Sequence, residues 1–140
     1  MAVHERSVEV DAPVHEVFLM WRNWSNFPKF MSHVKDVKDL GGGKSHWSAN
    51  IAGIDEEWDA EITKMETDKV IGWRSISGLE NSGEVRFDEL DGNRTRVTVH
   101  IEYNPPASVL GDAAEALYVG GEFDEDLEED LSRFKERVEA

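Results

Sequence analysis

Two kinds of hydrophobic spacing divide the chain. From Val109 to Ala140 the period is helical: Leu110, Ala113, Ala114, Leu117, Leu127, Leu131, Phe134 and Val138 fall on one face of a long or once-broken amphipathic helix. The opposite face carries Glu122, Asp124, Glu125, Asp126, Glu128, Glu129 and Asp130. Arg133, Lys135 and Arg137 follow, where cations suit the negative pole of the helix dipole. Gly120 and Gly121 fall on the inward side, each costing about 1 kcal/mol relative to alanine in a helix interior. Either the helix kinks or breaks there, or side chains are absent so that something else can occupy the space.

From Val34 onward the period is two, and turn signals arrive regularly, which predicts antiparallel strands. They span about 33–40, 44–52 (Trp47, Ala49 and Ile51 on one face), 56–66 (Trp58, Ala60, Ile62) and 69–77 (Ile71, Trp73, Ser75). A strand carrying Val85 and Phe87 and one at about 94–103 (Val97, Val99, Ile101, Tyr103) complete the run, with Asp91-Gly92-Asn93 as the hairpin between them. Upstream, residues 4–10 read as a further strand, and Asp11 is a candidate N-cap with Pro13 in the first turn. Val14, Val17, Phe18 and Trp21 then mark a helix, and Phe27 to Met31 a short helical segment rich in large apolar side chains. Asn104-Pro105-Pro106 ends the sheet. A sheet with one apolar face needs a cover, and the terminal helix is the element long enough to supply it. Thirty helical residues would span about 45 Å, so the sheet must curl round them. The expected class is α+β in a single domain, residues 1–140.

Composition narrows the function. Thirty acidic against 15 basic residues give a net charge of -15, which repels phosphate backbones and anionic membrane surfaces, so nucleic acid is an unfavoured partner. No apolar run approaches the roughly 18 residues of a membrane span, and the N-terminal residues lack the order of a secretion signal, so the expected location is cytoplasmic and stable membrane insertion is not expected. Zero cysteines exclude disulfides and thiol chemistry. Five tryptophans in 140 residues supply much large apolar surface.

Motifs of chemistry are few. Gly43-Lys44-Ser45 resembles the tail of a phosphate-binding loop, but Lys38 stands where its upstream glycine belongs. No two of His4, His15, His33, His46 and His100 lie three or four apart, and the acidic run 122–130 lacks a calcium loop's glycine and spacing, so it reads as a solvated helix face. No metal site and no cofactor are expected. Arg74 should point outward by alternation, toward Glu57, Asp59, Glu61 or Glu84; a bulge would turn it inward, where it could fix an acidic ligand group.

Several stretches together resemble the polyketide cyclase/dehydrase and coenzyme Q-binding branch of the START-like, helix-grip superfamily. They are residues 8–13 running into Val17-Phe18 and Trp21, residues 27–31 with Val34 and Val37, residues 58–62, residues 71–75, Asn81-Ser82-Gly83 before Val85-Arg86-Phe87, and Thr95-Arg96-Val97. The resemblance implies a curved seven-stranded antiparallel sheet around a C-terminal helix, as in Bet v 1-like proteins. It also implies two short N-terminal helices and an elongated hydrophobic cavity. Relatives bind lipids, quinones or polyketides, and some catalyse cyclisation or dehydration. No aromatic-cyclase motif can be placed residue by residue, so no catalytic residue is assigned.

The leading expectation is therefore non-covalent binding of a hydrophobic small molecule, with Phe30, Met31, Trp47, Trp58, Trp73, Ser75, Leu110, Leu117 and Tyr118 as wall residues. Asn81, Tyr103 and, if a bulge turns it inward, Arg74 are the candidate polar orienters. The alternatives are a cyclase/dehydrase-type enzyme using these polar groups, and a protein-interaction module related to ribosome-associated toxins, with no protein partner assigned. The acidic excess makes a separate prediction. Screening relieves self-repulsion, so the melting temperature should rise from low to molar salt; a flat or falling curve would refute adaptation to high salt.

Overall fold

Period-two alternation produces a meander of hairpins, and the one strand outside it closes the sheet's far edge. The structure, a computed structural model, describes residues 2–51, 53–103 and 121–140. Among these, β1 (Ala2–Val10), β2 (Val34–Gly41), β3 (Lys44–Ile51), β4 (Ile54–Glu66), β5 (Val70–Gly78), β6 (Asn81–Asp91) and β7 (Arg94–Tyr103) form one antiparallel sheet. Its order is β1-β7-β6-β5-β4-β3-β2. Between β1 and β2 lie α1 (Val14–Arg22), a 3-10 turn (Trp24–Asn26) and the single-turn α2 (Phe27–Phe30); α3 (Gly121–Glu139) follows the sheet. The curved sheet and its C-terminal helix make the α+β helix-grip fold expected from sequence. Leu110, Leu117, Tyr118 and Gly120 lie outside the described residues, and Gly121 is the first residue of α3 as described.

The curl has local causes. Pairing shifts register between Val34 and Asp36, Asp39 and Gly41, Ile62 and Lys64, and Glu89 and Asp91, and such bulges sharpen a sheet's twist. At the β2–β3 hairpin Gly41 pairs with Lys44, leaving Gly42 and Gly43 as a two-residue loop with φ of +64° and +78°. A type I′ turn, whose twist matches that of the strands, needs positive φ at both positions, which glycine adopts without strain.

Helix α1 begins at Val14 with Pro13 in the N-cap position and no side-chain cap, so Asp11 does not cap it. Proline fixes φ at the boundary, and at the N-cap it has no side-chain oxygen to accept from the His15 or Glu16 N–H. The Asp11 backbone N–H instead donates to Glu139 Oε2 at 2.7 Å. The buried face of α1 is Val17, Phe18 and Trp21, as its spacing predicts.

Leu127, Leu131 and Phe134 turn α3 toward the sheet at 2% exposure or less. Burying each of these side chains is worth about 1.5–3 kcal/mol. The Phe134 ring meets Trp21 at 5.0 Å and Phe30 at 5.2 Å, so one cluster joins α1, α2 and α3. Polar contacts set the helix's register against β1: Arg6 Nε donates to Glu128 Oε1 at 3.0 Å, and Lys135 Nζ donates to the Glu9 carbonyl at 3.0 Å.

The outer face carries cross-strand ion pairs. His46 lies opposite Asp59 and binds it through Nδ1 at 2.5 Å, with Glu57 3.5 Å from Nε2. His100 lies opposite Glu5 at 2.9 Å and reaches Glu102 at 3.3 Å. The hydrogen bond to Asp59 raises His46 and that to Glu5 raises His100, in each case against a smaller desolvation effect. A histidine raised in the folded state contributes stability that is full below its unfolded value near 6.5 and is lost as pH climbs through the raised value. Melting temperature should therefore fall by a few degrees between about pH 6 and pH 9. The double variant His46→Gln, His100→Gln should flatten that slope; an unchanged slope would show that these pairs contribute nothing.

Candidate functional site

The aromatic side chains that alternation sends inward do not close over one another completely. Between the concave face of the sheet, the segment from α1 to α2, and α3 lies a cavity of about 140 Å³. All five tryptophans of the chain, Trp21, Trp24, Trp47, Trp58 and Trp73, line it, together with Phe27, Met31 and aliphatic side chains of β5, β6 and β7.

Cross-strand register builds this wall. Trp47 of β3 stands opposite Trp58 of β4, and the rings stack at 5.9 Å with their planes 8° apart. Trp24 and Phe27 meet Trp47 edge-on at 5.8 Å and 5.1 Å, favourable geometries for aromatic quadrupoles. Two indoles are fixed by their N–H groups: Trp47 Nε1 donates to Ser45 Oγ at 2.8 Å, and Trp73 Nε1 donates to Asn81 Oδ1 at 3.1 Å. Asn81 is itself held, its amide nitrogen donating to the Leu79 carbonyl at 2.9 Å and its backbone N–H to Ser75 Oγ at 3.0 Å. Trp73 also needs its partner strand to be bare. It pairs with Gly83, where an added Cβ would stand 2.8 Å from the Trp73 ring and 2.2 Å from the His100 carbonyl oxygen.

Polar groups enter the lining at His33, Asn81, Tyr103 and Asp130. Tyr103 is 4% exposed, stacks on His4 at 5.5 Å, and its hydroxyl lies 3.2 Å from His4 Nε2. Asp130 on α3 is also only 4% exposed. Its Oδ1 accepts from the Ser32 backbone N–H at 3.2 Å and from the Arg133 guanidinium, which also donates to the Phe30 carbonyl. Burial pushes the Asp130 carboxyl above its ordinary value, while Ser32, Arg133 and His33 pull in the opposite direction. His33 faces Asp126 Oδ2 at 2.9 Å and the Asn50 carbonyl at 3.2 Å. Among the described residues no group of three or more His, Asp or Glu side chains could hold a metal ion, and no helix is long and apolar enough to cross a membrane.

Residues 10–132 match the family described as polyketide cyclase/dehydrase and lipid transport. The chain belongs to this family. It is 33% identical over 140 residues to an uncharacterised 17.2 kDa protein of Streptomyces lincolnensis, a match covering 99% of this chain and 91% of that one. A crystal structure from Deinococcus radiodurans is 30% identical, with a TM-score of 0.77 over 99% of this chain and 98% of that one. A START superfamily protein from Mycobacterium smegmatis shares the fold at 16% identity, with a TM-score of 0.80 over 99% and 98%.

In this polyketide cyclase/dehydrase family member, Met31, Trp47, Trp58, Trp73, Asn81 and Tyr103 are brought to the cavity. Phe30 is packed behind the wall between Trp21 and Phe134, and Ser75 holds the backbone of Asn81. The role of Arg74 as an inward orienter is corrected. No bulge falls at its position, it pairs across the strand with Glu61, and its Nε donates to Glu61 Oε1 at 2.6 Å on the outer face. Asp130 is a correction in the other direction. It is buried rather than part of a solvated face, because it stands three residues after Leu127 and four before Phe134 on the same stripe.

Trp21, Trp24, Phe27 and Asp130 are cavity residues that the sequence-derived set lacks. The supply of tryptophan was the signal that could have found two of them, Trp21 and Trp24. The Gly83 contact yields a test of the wall's construction. Gly83→Ala should cost about 1–3 kcal/mol of stability by overpacking against Trp73 and the His100 carbonyl. Gly92→Ala, at a site with nothing within 4 Å, should cost much less in the same denaturation experiment; equal losses would refute the close-approach account.

Proposed function

We propose that the protein binds an apolar small molecule non-covalently in this cavity, as a carrier or binding protein. The observation that carries the reading is the convergence of all five tryptophans on one mostly apolar cavity. Indoles that served only as core would be expected to pack against each other without leaving space. Two of them are also oriented by hydrogen bonds before any ligand arrives, which lowers the ordering cost of binding. Both activities in the family's description, polyketide cyclisation or dehydration and lipid transport, involve molecules with large apolar parts.

Size limits the ligand. A cavity of about 140 Å³ is close to the roughly 150 Å³ that accommodates benzene in an engineered core, and below the ~300–1,000 Å³ of pockets for drug-sized molecules. The space suits a ring-sized ligand or one ring-sized part of a larger one.

A second reading, catalysis of the cyclase/dehydrase type, is favoured by Asp130. A buried carboxyl raised by its surroundings at the cavity wall can serve as a general acid. Carriage remains the first reading because the other polar lining groups are committed to protein partners.

Native mass spectrometry of freshly purified protein, followed by organic extraction, should find a bound apolar compound. Trp58→Ala and Trp73→Ala should each weaken a lipophilic probe by about tenfold or more, the scale set by burial of a large side chain. A protein that is empty and ignores lipophilic probes overturns the reading. Undiminished probe binding in both variants, with reduced stability, would make these residues core only.

A further inference from the structure

The charge in the cavity wall has one sign. Among the described residues the lining holds a carboxylate, Asp130, and no lysine or arginine. Two groups near it carry or can take positive charge: Arg133, which donates to Asp130 from one turn along α3, and His33, which is turned to Asp126 and the Asn50 carbonyl. The Arg133 side chain is 42% exposed against 6% for Asp130, so water screens the cation of that pair more than the anion. Burial accordingly holds the Asp130 carboxyl above its ordinary value in spite of Ser32, Arg133 and His33. A cation entering the cavity would stabilise the carboxylate. The aromatic wall favours the same charge, because a cation within about 6 Å of an indole centroid is attracted by the ring quadrupole, most strongly where water is excluded. In a space of about 140 Å³ lined by five indoles, a guest lies close to several rings at once. Two N–H dipoles that could oppose a cation are given to protein acceptors, Trp47 to Ser45 and Trp73 to Asn81. At longer range the net charge of -15 draws cations toward the molecule.

We propose that the ligand, or the part of it that enters the cavity, is a compact organic cation of the quaternary ammonium type, held by the tryptophan rings with Asp130 as its counter-charge. The inference rests on the ligand-binding reading above and names the class of ligand. A quaternary ammonium spreads its charge over alkyl groups and has no N–H, so it meets a hydrocarbon wall without donors to satisfy. A primary ammonium brings three donors. The acceptors it would need are engaged, Asn81 Oδ1 by Trp73 and Asp130 Oδ1 by Ser32 and Arg133. An anionic guest would be desolvated among aromatic rings beside a carboxylate, with no basic side chain in the described lining to pair it.

Phenyltrimethylammonium and tert-butylbenzene test this, since they share shape and differ by a charged nitrogen in place of a carbon. Their dissociation constants are measured by calorimetry at neutral pH against the unaltered protein and against Asp130→Asn. In the unaltered protein the cation should bind about tenfold or more tighter than the hydrocarbon, the scale of a desolvated cation–π contact. Asp130→Asn keeps the shape of the side chain and removes its charge, and should reduce that preference by about fivefold. The comparison within the unaltered protein stands even where the variant fails to fold. Binding of tert-butylbenzene as tight as or tighter than that of phenyltrimethylammonium overturns the cationic ligand and leaves the ligand-binding reading standing. A preference for the cation that Asp130→Asn leaves unchanged overturns the role of Asp130 as counter-charge. Binding of neither probe overturns both the inference and the reading on which it rests.

Discussion

The packing of Leu127, Leu131 and Phe134 against the concave face of the sheet is the contact on which the rest of the molecule depends. A meander of hairpins has one apolar face and no means of covering it from within, so a helix must lie across it. Once α3 occupies the concavity, the chain between β1 and β2 has to pass around it. The Trp21, Phe30 and Phe134 rings meet at that crossing. The edge order, with β1 beside β7, follows from the same arrangement, because β1 gives α3 its polar anchors at Arg6 and Glu9.

The cavity is a by-product of large side chains held apart. Trp47 and Trp58 stack because they are register partners, and the Trp73 ring can come close to Gly83 because that residue has no side chain. The indoles are braced by ring contact, by a serine hydroxyl on the same strand for Trp47, and by an asparagine amide on the next strand for Trp73. Walls braced in this way resist collapse into the space between them, which is what separates a binding cavity from a packing defect.

Most of the fold was legible in the sequence because its signals are periodic. Val97, Val99 and Tyr103 alternate inward as their spacing required, and Leu127, Leu131 and Phe134 follow the helical stripe. The site was legible only in part. Trp47, Trp58 and Trp73 could be assigned a face from strand alternation, but Trp24 and Phe27 sit in a 3-10 turn and a single helical turn, too short to carry a period. Asp130 was hidden for another reason. Its neighbours in sequence are acidic, and the run of charge masks a spacing that places it on the Leu127–Phe134 stripe, against Ser32 and Arg133. Arg74 shows the converse, a charge whose direction plain alternation decided correctly toward Glu61.

The gathering of every tryptophan onto one cavity has a spectroscopic consequence. Indole dominates near-ultraviolet absorption and emission, and here no tryptophan stands elsewhere to dilute the signal from the site. The protein's intrinsic fluorescence is therefore a property of the cavity: its maximum reports how dry the cavity is, and its intensity reports contact with whatever enters. The stacked Trp47–Trp58 pair adds an exciton component to the circular dichroism that changes if a guest separates the rings. The molecule thus carries an optical gauge of its own occupancy, readable without label or assay.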